Sequence, residues 1–331
     1  MNATVPPHPA EPRSPRAFLP AALGSRTQVA VAVIAGFAVV AWADAVGLGG
    51  ARPGWWLVLV AVVVAVRGAG EFVTLFGTHG VSLRRALVPM VTAALPLAAA
   101  LGNAAVPSGV ASGGAGPAVA SLVALGWTAA AAAIGVACLL GAEVMRYPAD
   151  ARPLDRAALG CLAMAALGLP LAALVGLRIV GGSVGPDRAW PLVLVPLVSL
   201  VAAVKGGDIA AYLIGSTFGR HRMAPTLSPG KTWEGAVASM VASVTVSWLV
   251  ISGLSVAGVQ PWGGWLVFGL AVGGLGMLGD LAESLVKREV GAKDSGSALG
   301  GMGGALDLVD SLLFAAPAAW VLWVLGGLRG G

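Results

Sequence analysis

The sequence predicts an all-α, polytopic integral membrane protein. Three observations carry this. Of 331 residues, 57% are hydrophobic and only 11% are charged, where a soluble domain has roughly 25% charged. The apolar residues fall into about nine runs, each near the ~20 residues that a bilayer core requires. The charges collect in the gaps between runs. A net charge of +5 does not indicate a nucleic-acid binder, because the basic residues sit where the positive-inside rule places them. Cys138 and Cys161 lie inside apolar runs without metal-ligand spacing and read as buried free thiols.

Residues 1–27 hold six prolines and three arginines without apolar periodicity, and they read as a disordered cytoplasmic tail. Residues 28–331 form one membrane domain. Its expected spans are 29–48, 54–70, 86–102, 117–145, 157–177, 189–205, 235–256, 264–280 and 308–327. The first resembles a signal peptide, but it is long enough to cross and further spans follow at once, so an uncleaved helix is expected.

Basic residues concentrate in gaps 67–85, 146–156, 219–234 and 280–307. Charge bias puts these gaps in the cytoplasm, the N-terminus inside and the C-terminus outside. The 178–188 gap, with Arg178 and Arg188, is an exception. Gaps 146–156 and 219–234 share a side, so residues 189–218 must form one crossing. Its second half begins Lys205-Gly206-Gly207-Asp208, where two glycines beside two charges suggest a broken helix lining a polar, cytoplasm-facing cavity. A tilted helix with a snorkelling Lys205 is the alternative.

Chemistry-bearing residues fall into three groups. The first runs from Lys205 to Tyr212 and contains Asp208. The second is Ser228-Pro229-Gly230-Lys231-Thr232-Trp233-Glu234-Gly235, just before a span. A lysine and hydroxyls at a helix N-terminus can hold an anion; equally, Thr232 can be an N-cap and Lys231 a surface charge. The third, Gly279 to Ser311, dominates the polar content of the chain. Asp280, Glu283, Ser284 and Lys287 repeat at helical spacing, and the Glu283/Lys287 pair also reads as a plain i,i+4 ion pair. Asp307 and Asp310 are one turn apart on the next helix. Asp280, Asp307 and Asp310 could meet around one or two cations, with Mg²⁺ favoured over Zn²⁺ because no Cys or His accompanies them. The GxxxxGK[ST] spacing is missing. His79 and His221 lie in loops without an evident triad partner.

These blocks resemble the phosphatidate cytidylyltransferases. That family's signature, S-x-x-K-R-x(4)-K-D-x-G-x(3)-P-G-H-G-G-x-x-D-R-x-D, aligns with Ser284, Lys287, Arg288, Lys293, Asp294, Gly296, Gly300, Gly301, Met302, Gly303, Gly304, Asp307, Leu308 and Asp310. Upstream, Asp208-Ile-Ala-Ala-Tyr212, Phe218-Gly219-Arg220-His221 and Ser228 to Gly235 resemble its D-x-x-A-Y, F-G-K-H and S-P-x-K-T-W-E-G blocks. The resemblance covers about residues 200–311, the expected catalytic part. Three positions depart from it: Met302 replaces a His, Leu308 an Arg and Gly300 a Pro.

The resemblance implies a multi-pass enzyme of the cell membrane. Its active site would face the cytoplasm and join CTP to phosphatidate or a related lipid phosphate, giving CDP-diacylglycerol and pyrophosphate. By it, Asp280, Asp307 and Asp310 would hold Mg²⁺, with room for a second cation. Lys293, Asp294, Arg288 and Lys287 would be catalytic. Ser228, Lys231, Thr232, Glu234, Asp208, Tyr212 and Ser284 would bind substrate among membrane lipids. A homodimer is compatible with it, and nucleic acid is not an expected partner. Met302 and Leu308 motivate an alternative, a catalytically silent paralogue or one with an altered acceptor.

Overall fold

The structure is a computed structural model that describes residues 35–48, 54–77, 80–107, 116–147, 152–182, 192–253, 260–292 and 304–327. The 1–27 tail, Lys293, Asp294 and Met302 lie outside these residues. Ten α-helices are described: α1 Ala35–Ala45, α2 Trp55–Gly77, α3 Leu87–Ala104, α4 Gly116–Val144, α5 Pro153–Ala163, α6 Leu169–Gly182, α7 Val195–Phe218, α8 Trp233–Gly253, α9 Gly264–Glu289 and α10 Ala305–Gly327. A π turn, Met164–Gly168, joins α5 to α6 as one crossing. The protein is thus an all-α, polytopic membrane protein. Eight helices among the described residues are long and apolar enough to cross. Of the expected 29–48 run, only the short α1 is described as helix.

Three expectations shift. The helix expected to stop at residue 70 continues to Gly77, and the one expected to stop at 280 continues to Glu289. Helix geometry does not end where hydrophobicity does, so Glu71 rides on a helix rather than in a loop, and Asp280, Glu283, Ser284 and Lys287 hold the helical spacing expected of them. The break expected at Lys205-Gly206-Gly207-Asp208 is also not there, since α7 is continuous across it. Gly207 instead permits close packing. A Cβ there would lie 2.5 Å from Ser243 Oγ and 2.8 Å from Ser239 Oγ of α8. Small residues let membrane helices approach, and the hydroxyls then bond across them; Ser243 Oγ donates to the Ala203 carbonyl at 2.9 Å.

Arg178 is not a loop charge either. It is buried in α6, and its Nε donates to Asp44 Oδ2 at 2.8 Å. Asp44 is fully buried, and its carboxylate also accepts the N–H groups of Gly54, Trp56 and Leu57 at the start of α2. These donors lack intrahelical partners. For Arg178 the exception to the charge bias is therefore a neutralised pair; Arg188 lies outside the described residues. The cysteines differ from expectation as well: both thiols are free, but Cys161 is only half-buried and Cys138 is exposed on the bundle perimeter, where an apolar surround accepts a thiol at little cost.

The core has two main lobes, with a smaller cluster around Ala41, Leu57, Leu194 and Leu197. One packs α2, α3, α4 and α5 together through residues such as Phe72, Leu95, Ala124 and Ala163. The other packs α6, α7, α9 and α10 through Leu177, Leu200, Phe268 and Ala316. Helix α10 joins both lobes, as Leu306 and Leu313 belong to the first and Ala315, Ala316 and Trp323 to the second. Leu83, Val290 and Leu306 share one cluster, which packs the end of α9 and the start of α10 against the connection that precedes α3. Glu143 draws the ends of α4 and α5 to that connection, with Arg84 Nε at 3.0 Å and Arg156 Nη2 at 2.7 Å.

Candidate active site

The site is built where α7, α9, α10 and a small hairpin meet. The hairpin pairs β1 (Arg222–Ala224) antiparallel to β2 (Ser228–Thr232) and runs straight into α8. Glu234 clasps it, accepting the His221 N–H, with its Oε1 2.7 Å from His221 Nδ1. His221 thus has a carboxylate partner that the sequence spacing did not reveal, and this partner holds a turn shut. Thr232 is buried and its Oγ1 accepts the Gly235 N–H at 3.2 Å, while the Trp233 N–H is taken by the His221 carbonyl. Thr232 therefore acts as the N-cap, and two of the helix's first free donors are already satisfied.

Lys231 points the other way, inward. Its Nζ lies 3.0 Å from Asp280 Oδ2. On α9, Asp280 and Glu283 face α10 and Lys287 follows one turn later. Lys287 Nζ bridges Glu283 Oε2 at 3.2 Å and Asp307 Oδ1 at 2.8 Å. The i,i+4 pair is thus present, but extended into an interhelical bridge. Asp307 Oδ2 accepts the Gly304 N–H at 2.5 Å, folding back over the start of α10. Glu283 also interacts with Asp307 and Asp310, and Asp280 with Asp310. Four carboxylates and two ammonium groups therefore converge from β2, α9 and α10.

A glycine makes this convergence possible. A Cβ on Gly279 would meet the Asp310 carbonyl oxygen at 2.7 Å and Ser311 Cα at 3.1 Å. Without side-chain bulk at 279, α9 and α10 touch along their backbones and Asp280 reaches Asp310.

A second polar knot adjoins the first. Lys205 Nζ bonds Asp208 Oδ2 at 3.0 Å and Ser311 Oγ at 2.9 Å, and Ser311 Oγ bonds Asp208 Oδ2 at 3.1 Å. Ser311 is fully buried and neighbours Asp310, so this knot ties α7 to the acidic turn of α10. Sequence reasoning found Lys205 and Asp208 but missed Ser311, which looks like any small residue in an apolar run. It also missed Glu71 of α2, whose Oε2 accepts the Leu306 N–H at 3.0 Å.

Other expected residues lie at the margin. Arg288 is exposed and donates to the Leu227 carbonyl at 3.3 Å, holding the hairpin against α9. Ser228 begins β2 and Ser284 sits half-buried on α9 beside Glu283. Tyr212 is 74% exposed on α7, one turn beyond Asp208.

The donor chemistry fits a hard cation. All the acidic donors are carboxylate oxygens, which suit Mg²⁺. Lys287 already bridges Glu283 Oε2 to Asp307, but Glu283 Oε1 is buried without a hydrogen-bond donor, an oxygen left open to a cation. Among the described residues, no three His, Cys, Asp or Glu side chains are already disposed around a single point; Lys231 and Lys287 stand among the carboxylates.

The fold and site define a class: a helical membrane protein whose charged machinery is packed at one end of the bundle. A family model described as the cytidylyltransferase family matches residues 24–325. The chain belongs to that family. It is 41% identical over 126 residues to a phosphatidate cytidylyltransferase of Mycobacterium bovis, covering 38% of this chain and 40% of that one. It is 44% identical over 138 residues to that of Brucella melitensis, covering 42% and 49%. To that of Haemophilus influenzae it is 37% identical over 123 residues, covering 37% and 43%. The matched stretch thus spans less than half the length of each of these relatives.

Proposed function

We propose that this protein is a membrane nucleotidyltransferase that condenses CTP with phosphatidate, giving CDP-diacylglycerol and pyrophosphate for phospholipid synthesis. The observation that carries the reading is the convergence of Asp280, Glu283, Asp307 and Asp310 with Lys231 and Lys287. Family membership and the names of the relatives support it.

The nucleophile is a phosphate monoester oxygen of the acceptor lipid. Its second pKa is about 6, so it is already anionic at neutral pH and requires no side-chain base. It attacks the α-phosphorus of CTP, the bond to the β-phosphate oxygen breaks, and pyrophosphate leaves with the electron pair. The barrier is repulsion between anions and their alignment, so fixed positive charge carries the catalysis. Asp280, Asp307 and Asp310 would hold Mg²⁺, with Glu283 alongside; bound there, it would neutralise phosphate charge. Lys231 and Lys287 would turn from carboxylates to phosphate oxygens as substrate arrives. Arg288, Lys293 and Asp294 would act on the leaving-group side. Ser228 and Ser284 would meet phosphate oxygens, and Asp208 and Tyr212 would border the lipid headgroup. Thr232 and Glu234 would hold the hairpin that presents Lys231. The site would face the cytoplasm, where CTP is made.

Radiolabelled CTP, phosphatidate and Mg²⁺ in detergent micelles test this. CDP-lipid formation that is lost in Asp307→Asn supports it. CTP binding without turnover on any lipid phosphate would make the protein a silent relative, and turnover only with an isoprenoid phosphate would change the acceptor. A faster Met302→His/Leu308→Arg variant would show that the two departures weaken an intact site.

A further inference from the structure

We infer that Glu71, in the half of the chain that carries none of the sequence blocks, is a positioning residue for the acidic cluster. This rests on the reading above that the cluster binds a divalent cation.

Glu71 and Leu306 are 235 residues apart, yet Glu71 Oε2 accepts the Leu306 N–H at 3.0 Å. Leu306 lies in the first turn of α10, where N–H groups have no acceptor within the helix. A carboxylate there satisfies the donor and is favoured by the helix dipole. Glu71 does this from another helix, so the bond fixes the start of α10 relative to α2. Packing reinforces it. Leu306 is 8% exposed and shares a cluster with Phe72, Leu75 and Phe76, the residues that follow Glu71 on α2.

Asp307 comes immediately after Leu306, and Asp310 one turn later. Asp307 Oδ2 already holds the Gly304 N–H, and Ser311 is held by Lys205 and Asp208. The first turn of α10 is thus gripped from α2, and the second from α7. Ligand oxygens need placement within about 0.5 Å, so freeing one grip displaces two of the proposed ligands together. Groups outside the ligand shell that orient ligands in this way typically change metal affinity by 10–100-fold.

The test is Mn²⁺ binding, followed by electron paramagnetic resonance on full-length protein in micelles, with thermal unfolding measured alongside. Glu71→Ala is expected to weaken Mn²⁺ binding about tenfold or more, with the unfolding midpoint little changed. Glu71→Gln keeps an oxygen acceptor for the Leu306 N–H and is expected to stay within about twofold of wild type. Wild-type affinity in Glu71→Ala would overturn the inference. So would a Gln variant as weak as the Ala variant, because the charge rather than the bond would then matter. A weakened Ala variant that also unfolds much earlier, with Gln rescuing neither property, would reduce Glu71 to a packing role. No Mn²⁺ binding by the wild type would overturn both this inference and the metal reading beneath it.

Discussion

Gly279 lies so close to Asp310 that a methyl group could not fit between them: an added Cβ would sit 2.7 Å from the Asp310 carbonyl oxygen. The contact is backbone on backbone and has no flexible end to yield. The spacing between α9 and α10, and with it the distance from Asp280 to Asp310, is set by this absence of a side chain.

Gly279→Val should therefore separate the two helices. Overpacking of this kind costs about 1–3 kcal/mol, and CDP-lipid formation should fall well beyond what the stability loss explains. Gly274 is the control, since its nearest neighbour, Met240 Cε, is 4.0 Å away. Gly274→Ala should be neutral or stabilising by up to about 1 kcal/mol. Thermal unfolding and turnover of both variants check this.

Lys287 bridges Glu283 and Asp307 with its single positive charge. Lys287→Met leaves those carboxylates facing one another with no cation between them. Its unfolding midpoint should fall, and added Mg²⁺ should restore more of it than in wild type, because the ion then fills the role of the lost ammonium. A midpoint insensitive to Mg²⁺ in both proteins would count against the proposed cation site.

The Asp44–Arg178 pair offers a test far from the chemistry. Removing one member of a buried pair costs about 3–5 kcal/mol, more than removing both. Asp44→Ala should be severely destabilised, partly because three N–H groups of α2 lose their acceptor. Arg178→Met should be destabilised too, and the double variant should lose less than the sum of the two. Midpoints that simply add would mean that the pair is not coupled.

The orientation is testable at the hairpin. In a background lacking Cys138 and Cys161, Thr226→Cys should react with a membrane-impermeant maleimide in inverted vesicles and not in intact cells. Labelling of intact cells would place the hairpin, and the acidic cluster with it, on the outer side.

Much of this was legible in the sequence, for physical reasons. The hydrocarbon core admits few charges, so spans and gaps stand out, and acidic side chains at helix ends mark themselves by their cost. The misreadings share another origin. Gly206 and Gly207 beside Lys205 and Asp208 look the same in a broken helix as in a tightly packed one. What separates the cases is the serine row at 239 and 243 on a different helix, which no local pattern announces. Glu71 is hidden in the sequence because a charge looks like the end of a span. The helix continues, and its acidic side chain has a partner 235 residues away. Arg178 looks like a loop residue for the same reason, although it lies within α6.

The buried clamp between Asp44 and Arg178 also bears on how the protein is made. Ribosomes deliver Asp44 to the bilayer 134 residues before its counter-charge, and an isolated carboxylate is poorly tolerated in lipid. The helical hairpin of α1 and α2 is therefore expected to wait, shallow or shielded by the insertion machinery, until α6 emerges. Stalled nascent chains ending on either side of residue 178 should differ in how deeply that hairpin is protected from protease; equal protection would mean that it settles unaided.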